Sequence, residues 1–339
     1  MCIGTPSISV VMPIFNQSAT VQEVLRCLLD SMESVYEIII IDDASNDGTI
    51  EAILDFQKDF ERYLNLKKIS LFRNRKSKFE TRCDTIAIEL ASAKYCIELQ
   101  ADMFLKDPGF DVRLVEALES DESLILLSGR GVELLLPIYA EYKKTLGTDR
   151  ARAKNISEYL VQRLGYQLKR IAKIILREKN MTSNLNPSRD QVSFIEISDE
   201  DFLIKGIAGR VGLELQRMVR AECLERKIHY GQTVMRGPLV FDKAKFLSIG
   251  GLNTRGFFQG FDDHDICVRA YLSGYKVGYT PVIFDSPSEL GTTRKSRSLF
   301  TELQILYNTI RIQKSNTALG SINLKVWSDY GKFLDVRKF

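Results

Sequence analysis

Four consecutive isoleucines, Ile38 to Ile41, follow Glu37 and end on two aspartates, Asp42 and Asp43. In a strand, successive side chains point to opposite faces, so an unbroken apolar run has to be covered on both sides. Such coverage is the mark of a parallel sheet with helices packed on each face. Neighbouring segments repeat the theme. Ile8 to Pro13 is a short β-branched run, and Thr20 to Leu29 carries Val21, Val24, Leu25, Leu28 and Leu29 at helical spacing, with Ser18 or Thr20 available as cap. Helical and strand patterns continue to alternate through Thr49 to Tyr63, Lys68 to Phe72, Asp84 to Ala93, Tyr95 to Leu99 and Leu124 to Leu127. The expected fold is α/β, a doubly wound sheet.

The pattern changes after Leu127. Residues from about Tyr139 to Lys179 read as long helices, with Ile156, Leu160, Leu164, Leu168, Ile171 and Ile175 on one stripe and a Lys/Arg-rich opposite face. That face fits either peripheral contact with an anionic membrane or a solvated surface whose apolar stripe packs on this chain's own core or on a second copy. A polar stretch from Asn180 to Asp201 reads as loop, and strand-like and helical pieces resume near Val234 to Phe241. We therefore divide the chain into residues 1–138, a helical insertion and linker at 139–200, a second half of the sheet domain at 201–290, and a C-terminal lid and tail at 291–339.

The 339 residues, 45% hydrophobic and 27% charged, are sufficient for one large globular domain with insertions. A net charge of +3 is too small to make nucleic acid the expected partner. Six cysteines without a Cys-x-x-Cys pair point to reduced thiols and no zinc site. The first residues lack a secretory pattern, and no segment approaches the roughly 18 unbroken apolar residues of a membrane span. A cytoplasmic protein, at most peripheral on the cytoplasmic membrane face, is the expectation.

Ligands of an open parallel sheet bind beyond the carboxyl ends of its strands. Three acidic clusters fall at such positions or at a helix start. Asp42 and Asp43 run into a turn, Ala44 to Thr49, and serve either as turn residues or as acceptors for ribose hydroxyls and a base N–H. Gln100, Ala101 and Asp102 follow the strand Cys96 to Leu99; Asp102 is either an exposed loop residue or the ligand of a hard cation that also touches phosphate. Asp262, Asp263 and Asp265 crowd a helix start beyond a Gly-rich, aromatic loop, where one acid can cap while others remove a proton or hold a cation. No Gly-rich phosphate loop of the P-loop or dinucleotide type follows the first strand, and a metal is the simplest substitute. The same absence speaks against a nucleotidyltransferase.

Together, VVMPIFNQSATVQEVLRCLL, IIIIDDASNDGT, ELASAKYCIELQADM and GGLNTRGFFQGFDDHDICVRAYLSGYKVGYTP resemble the family 2 glycosyltransferases of the GT-A fold. The resemblance covers roughly Ile8 to Asp107 and Val234 to Phe284. It implies an inverting enzyme of polysaccharide biosynthesis that moves a hexose-type sugar from a nucleotide-diphosphate donor, UDP-linked in expectation, to a hydroxyl of a glycan or lipid-linked glycan. It further implies that Pro13, Phe15 and Asn16 line the nucleotide site, that Asp42 and Asp43 contact base and ribose, and that Asp102, the last acid of an Asp-x-Asp motif, holds Mg2+ or Mn2+ on the diphosphate. Asp263 then resembles the family's general base. Two positions depart from the pattern: Gln100 stands where the first Asp of that motif is usual, with Ala101 between it and Asp102, and Asp262 stands for a Glu. His264 orients a carboxylate, touches the acceptor, completes the metal shell or is a plain surface histidine. Arg294 and Arg297 either resemble the cations of a mobile loop that closes over the donor or belong to a solvated basic loop. The alternative is a nucleotide-sugar-binding protein without transfer activity, for which Gln100 is the motivating feature.

Overall fold

The computed structural model describes residues 7–56, 63, 66, 68–130, 132–133, 165, 168–169, 171–172, 175, 226–231, 233–257, 260–286, 299–300, 303–308, 311 and 336–338. Its strands are β1 (Ile8–Ile14), β2 (Val35–Asp42), β3 (Lys68–Arg73), β4 (Tyr95–Glu98), β5 (Phe104–Leu105), β6 (Leu124–Ser128), β7 (Val132–Glu133), β8 (Lys227–Gly231), β9 (Thr233–Val234), β10 (Leu239–Asp242), β11 (Lys276–Tyr279), β12 (Phe284–Asp285) and β13 (Val336–Lys338). The helices are α1 (Val21–Ser31), α2 (Thr49–Phe56), α3 (Glu80–Leu90), α4 (Phe110–Glu119), α5 (Lys243–Ser248) and α6 (Asp262–Leu272).

Among the described residues, nine strands form one sheet in the order β13-β8-β11-β6-β10-β4-β1-β2-β3. β4, β1, β2 and β3 run parallel, and β6 runs parallel to β11. β10 enters antiparallel to both β4 and β6. Two short ribbons, β5 with β12 and β7 with β9, lie outside this sheet. The isoleucine run divides as its period requires. Ile38 and Ile40 pack with Val24, Leu25 and Leu28 of α1 and with residues of α2 and α4, while Ile39 and Ile41 pack with Cys83, Ala87 and Ile88 of α3 and with residues of α5 and α6. This is the mixed, doubly wound α/β architecture expected of the GT-A fold.

Several expectations change in detail. The helix expected over Asp84 to Ala93 begins a turn earlier, at Glu80, because Asp43 captures the backbone N–H groups of Lys78 and Phe79 and ends the preceding loop there. Thr20 stands at the α1 N-cap, but its hydroxyl donates to Gln17 Oε1 and makes no cap bond. The strand-like and helical pieces expected near Val234 to Phe241 are two strands: β9 pairs with β7, and β10 joins the central sheet after a break at Arg236-Gly237-Pro238. The tail contributes an edge strand, β13, paired with β8. Most of the 139–200 insertion, with Arg294 and Arg297, lies outside the described residues. Within the expected helical stripe, Leu168, Ile171 and Ile175 are helical; Ile171 is buried, and Leu168 and Ile175 are exposed. Among the described residues no helix is long and apolar enough to cross a membrane.

Candidate active site

The loops after β1, β2, β4 and β6 leave the sheet at one edge, and the chain enters antiparallel β10 at that same edge, Leu239 lying opposite Glu98. At the nucleotide end, two loops are laced together. Pro13 lies in β1 opposite Ile41, and Phe15 and Asn16 follow the strand. Asn16 has a left-handed φ of 50°, donates its backbone N–H to Ser45 Oγ at 2.9 Å and accepts from Asn46 N at 3.0 Å. Gln17 N and Ser18 N donate to Thr49 Oγ1 and Asp47 Oδ2.

Asp42 is fully buried at the end of β2. Its Oδ2 accepts from Ser45 N and lies 3.4 Å from Arg73 Nε, while Oδ1 has no hydrogen-bond partner among the described residues. Asp43 differs. Its two oxygens accept from Asn74 Nδ2, Ser77 Oγ, Lys78 N and Phe79 N at 2.6–2.9 Å. Burial raises its carboxyl, but these donors outweigh burial and hold it below the usual value. Both lone pairs of each oxygen are thereby used, so Asp43 shapes the β3–α3 loop.

Gln100, Ala101 and Asp102 form a tight turn in which Met103 N donates to Gln100 O at 3.2 Å. Gln100 Nε2 donates to Glu80 Oε1 at 3.2 Å, and its Oε1 accepts from Arg130 Nη1 at 2.9 Å, which fixes the amide orientation. Asp102 is buried, and its Oδ1 has no hydrogen-bond partner among the described residues. An unsatisfied buried carboxylate oxygen is costly unless a donor or cation meets it, so Asp102 fits a hard divalent ion. A second acidic group, Glu80, Asp84 and Glu98, has oxygens within 4.8 Å of one another. A guanidinium already stands among them.

That guanidinium belongs to Arg236, which is 7% exposed. Its Nη1 bonds Asp262; its Nη2 bonds Asp84, lies 3.2 Å from Glu98 Oε1 and 3.7 Å from Glu80 Oε1. The cluster follows from local periodicity. Alternation in β4 turns Glu98 to the same side as Cys96, which packs against α3 and α6, and Glu80 and Asp84 are one turn apart on α3. Four carboxylates then share one cation. Burial, reinforced by neighbouring acids, pushes Glu80 up to about 7 and raises Asp84, Glu98 and Asp262 against the pull of Arg236. The charge of Asp102 also raises Glu80, so the turn at residues 100–103 and the cluster are electrostatic neighbours.

None of the three acids at the start of α6 caps the helix, whose N-cap is Phe261 in a left-handed conformation without a side-chain cap bond. Asp262 turns to Arg236 and accepts from Thr81 Oγ1 at 3.4 Å. Asp265 pairs with Arg269 one turn on. Asp263 Oδ1 meets the backbone N–H of His264 at 2.9 Å and His264 Nδ1 at 3.0 Å, and its side chain keeps 28% exposure. Burial raises Asp263, but the charge and hydrogen bonds of His264 and the charge of Arg236 outweigh it and hold Asp263 low. Two adjacent carboxyls are therefore driven apart, Asp262 up and Asp263 down. The contact between His264 and Asp263 favours the orienting role among those expected for that histidine, with the Phe261 ring edge-on to the imidazole at 5.3 Å.

Sequence reasoning missed Arg236, Glu80, Asp84 and Glu98. The available signal was Glu98 inside the buried apolar run Tyr95 to Leu99, since a carboxylate in a two-sided strand requires a partner. Arg236, in Met-Arg-Gly-Pro, carries no such signal.

Residues 9–155 match the family described as Glycosyl transferase family 2. A Haemophilus influenzae protein named as an uncharacterized glycosyltransferase is 31% identical over 114 residues, covering 33% of this chain and 42% of that protein. The poly-beta-1,6-N-acetyl-D-glucosamine synthase of Staphylococcus epidermidis is 35% identical over 100 residues, covering 30% of this chain and 23% of that protein. The matches thus span less than half of each of these relatives. Among solved structures, a mannosyltransferase of Pyrobaculum calidifontis in complex with GDP-Man and Mn2+ aligns with a TM-score of 0.47 and 13% identity, covering 93% of this chain and 75% of that one. Asp262 and Asp263 lie beyond the family match, which includes Asp42, Asp43, Gln100 and Asp102. The family match, confined to residues 9–155, covers less than half of the chain.

Proposed function

We propose that this chain is an inverting glycosyltransferase that moves a hexose-type sugar from a UDP-linked donor to a hydroxyl of a glycan or lipid-linked glycan. The observation that carries the reading is the pair at the start of α6: Asp263 is held low and partly exposed, while Asp262 is tied through Arg236 to Glu98, two residues before Gln100. Adjacent carboxyls with opposed shifts suit a site in which one acts on a proton and the other is structural. The polymer synthase among the matched relatives supports an N-acetylhexosamine as the first sugar to test.

In this reading Pro13, Phe15, Asn16 and Asp42 line the nucleotide site, and Asp43 shapes the loop beside it. Asp102 would hold Mg2+ or Mn2+, whose chemistry is to offset the charge of the leaving diphosphate. Gln100, Ala101 and Gly237 form the wall next to it. Asp263 accepts the proton of the acceptor hydroxyl as the acceptor oxygen bonds to the anomeric carbon from the face opposite the diphosphate; the carbon–oxygen bond to the β-phosphate breaks and the nucleoside diphosphate departs. A positioned base contributes about 10²–10⁴-fold to such a step. His264 keeps the Asp263 carboxylate oriented and ionised at neutral pH. We extend the proposal to Arg294 and Arg297 as donor-side cations and to a membrane surface or a second copy as partner of residues 139–179.

The test is a panel of UDP-glucose, UDP-galactose and UDP-N-acetylglucosamine, with GDP-mannose alongside, scored for release of nucleoside diphosphate with and without Mn2+. Metal-dependent release from a UDP-sugar is expected. Binding of UDP without release from any donor, whatever glycan acceptor is added, would replace this reading by that of a nucleotide-sugar-binding protein.

A further inference from the structure

We propose that Arg236 is a positioning residue that locks the base-bearing end of α6 to the Gln100–Met103 turn, so that these two parts of the proposed site hold one geometry. The inference rests on the reading of Asp263 given above. Arg236 contacts groups from three separate elements: Asp84 on α3, Glu98 on β4 and Asp262 on α6. Its own backbone completes the joint. Gly237 N donates to Glu98 Oε2 at 3.0 Å, and the Arg236 carbonyl accepts from Arg130 Nη1, the nitrogen that also holds Gln100. Gly237 itself has a φ of 65°, and a Cβ there would come within 2.9 Å of Gln100 Cγ and Met103 Sδ, so this backbone lies directly against the turn.

The planar fork is what the joint needs. One guanidinium nitrogen reaches Asp262 while the other serves Asp84 and Glu98. A lysine ammonium keeps the charge but is a single point and cannot serve α6 and β4 together. Asp262 neighbours Asp263, so a shift of α6 at Asp262 carries the base with it, and displacement of a reacting group by about 1 Å can cost 10²-fold in rate.

Arg236→Lys keeps a buried cation and tests the tie directly. Amide exchange, followed by mass spectrometry, is expected to rise roughly tenfold or more in both residues 260–268 and residues 98–104, with the strands of β1 and β2 unchanged. Asp262→Asn cuts the tie from the α6 side and leaves Arg236 three carboxylates; only residues 260–268 should loosen. Unchanged protection of 260–268 in both variants overturns the proposal, whatever the catalytic outcome. With the best UDP-sugar of the panel, Arg236→Lys should lower kcat about 10²-fold while donor KM stays within about threefold. A residue that only stabilises the fold would leave kcat unchanged well below the melting temperature, and that result would also refute positioning. Loosened α6 with full turnover by Asp263→Asn would instead refute the assignment of the base and leave the tie standing.

Discussion

Replacing Arg236 by methionine removes the one cation that, among the described residues, pairs with Asp84, Glu98, Asp262 and Glu80, with little loss of volume. Asp84 and Glu98 are almost wholly buried, so water cannot replace the guanidinium. Breaking a buried ion pair from one side costs about 3–5 kcal/mol, and that figure applies where the stranded carboxyls stay ionised. They need not stay ionised. Glu80 already sits at about 7 with Arg236 present, and removing the cation lifts every member further. A carboxyl raised in the folded state binds its proton on folding, so stability falls as pH rises through the interval between its unfolded and folded values. The variant should therefore lose about 3–5 kcal/mol at pH 8 and about 1–2 kcal/mol at pH 5, where protons neutralise the cluster and mainly hydrogen bonds are lost. Urea unfolding of both proteins at the two pH values gives the comparison. A loss under about 1 kcal/mol at pH 8, or a loss that grows toward pH 5, would refute the reasoning.

The same linkage applies to the unaltered chain. Glu80, raised from 4.5 to about 7, should make it less stable at pH 7.5 than at pH 5, and Glu80→Gln should flatten that slope in thermal melts; a slope of opposite sign would remove the shift. Gly237→Ala combines a left-handed backbone, costing about 1–2 kcal/mol, with contacts of 2.9 Å to Gln100 and Met103, so a total loss of about 2–4 kcal/mol in urea unfolding is expected. Arg311, which lies 4.5 Å over the Phe257 ring and donates to the Gly256 carbonyl at 2.9 Å, clamps the loop before α6. Arg311→Met should cost about 1 kcal/mol and speed amide exchange at 253–257, and unchanged exchange there would show that other contacts hold the loop.

The sheet was legible where one residue pattern decides burial. Ile38 to Ile41 fixed a strand covered on both faces, and the helical spacing of Val21 to Leu29 fixed its cover. The position of β10 was not legible, because pairing Leu239 with Glu98 joins residues about 140 apart and nothing local specifies it. The site divides the same way. Asp42, Asp102 and Asp263 stand at strand and helix ends, where sequence points to ligands. Asp43 stands there too, yet its oxygens are spent on Asn74, Ser77, Lys78 and Phe79, donors that only the folded loop delivers. Arg236 shows the limit most clearly: its four partners come from three distant segments, and its role exists only once these meet.

The most direct measurement of the central claim is the turnover and the UDP affinity of Asp263→Asn in the presence of Mn2+. The amide keeps the shape of the side chain but cannot take a proton, so UDP affinity should stay within a few-fold while kcat falls about 10²–10⁴-fold. Turnover retained at the level of the unaltered chain would contradict the account and remove Asp263 from the chemistry.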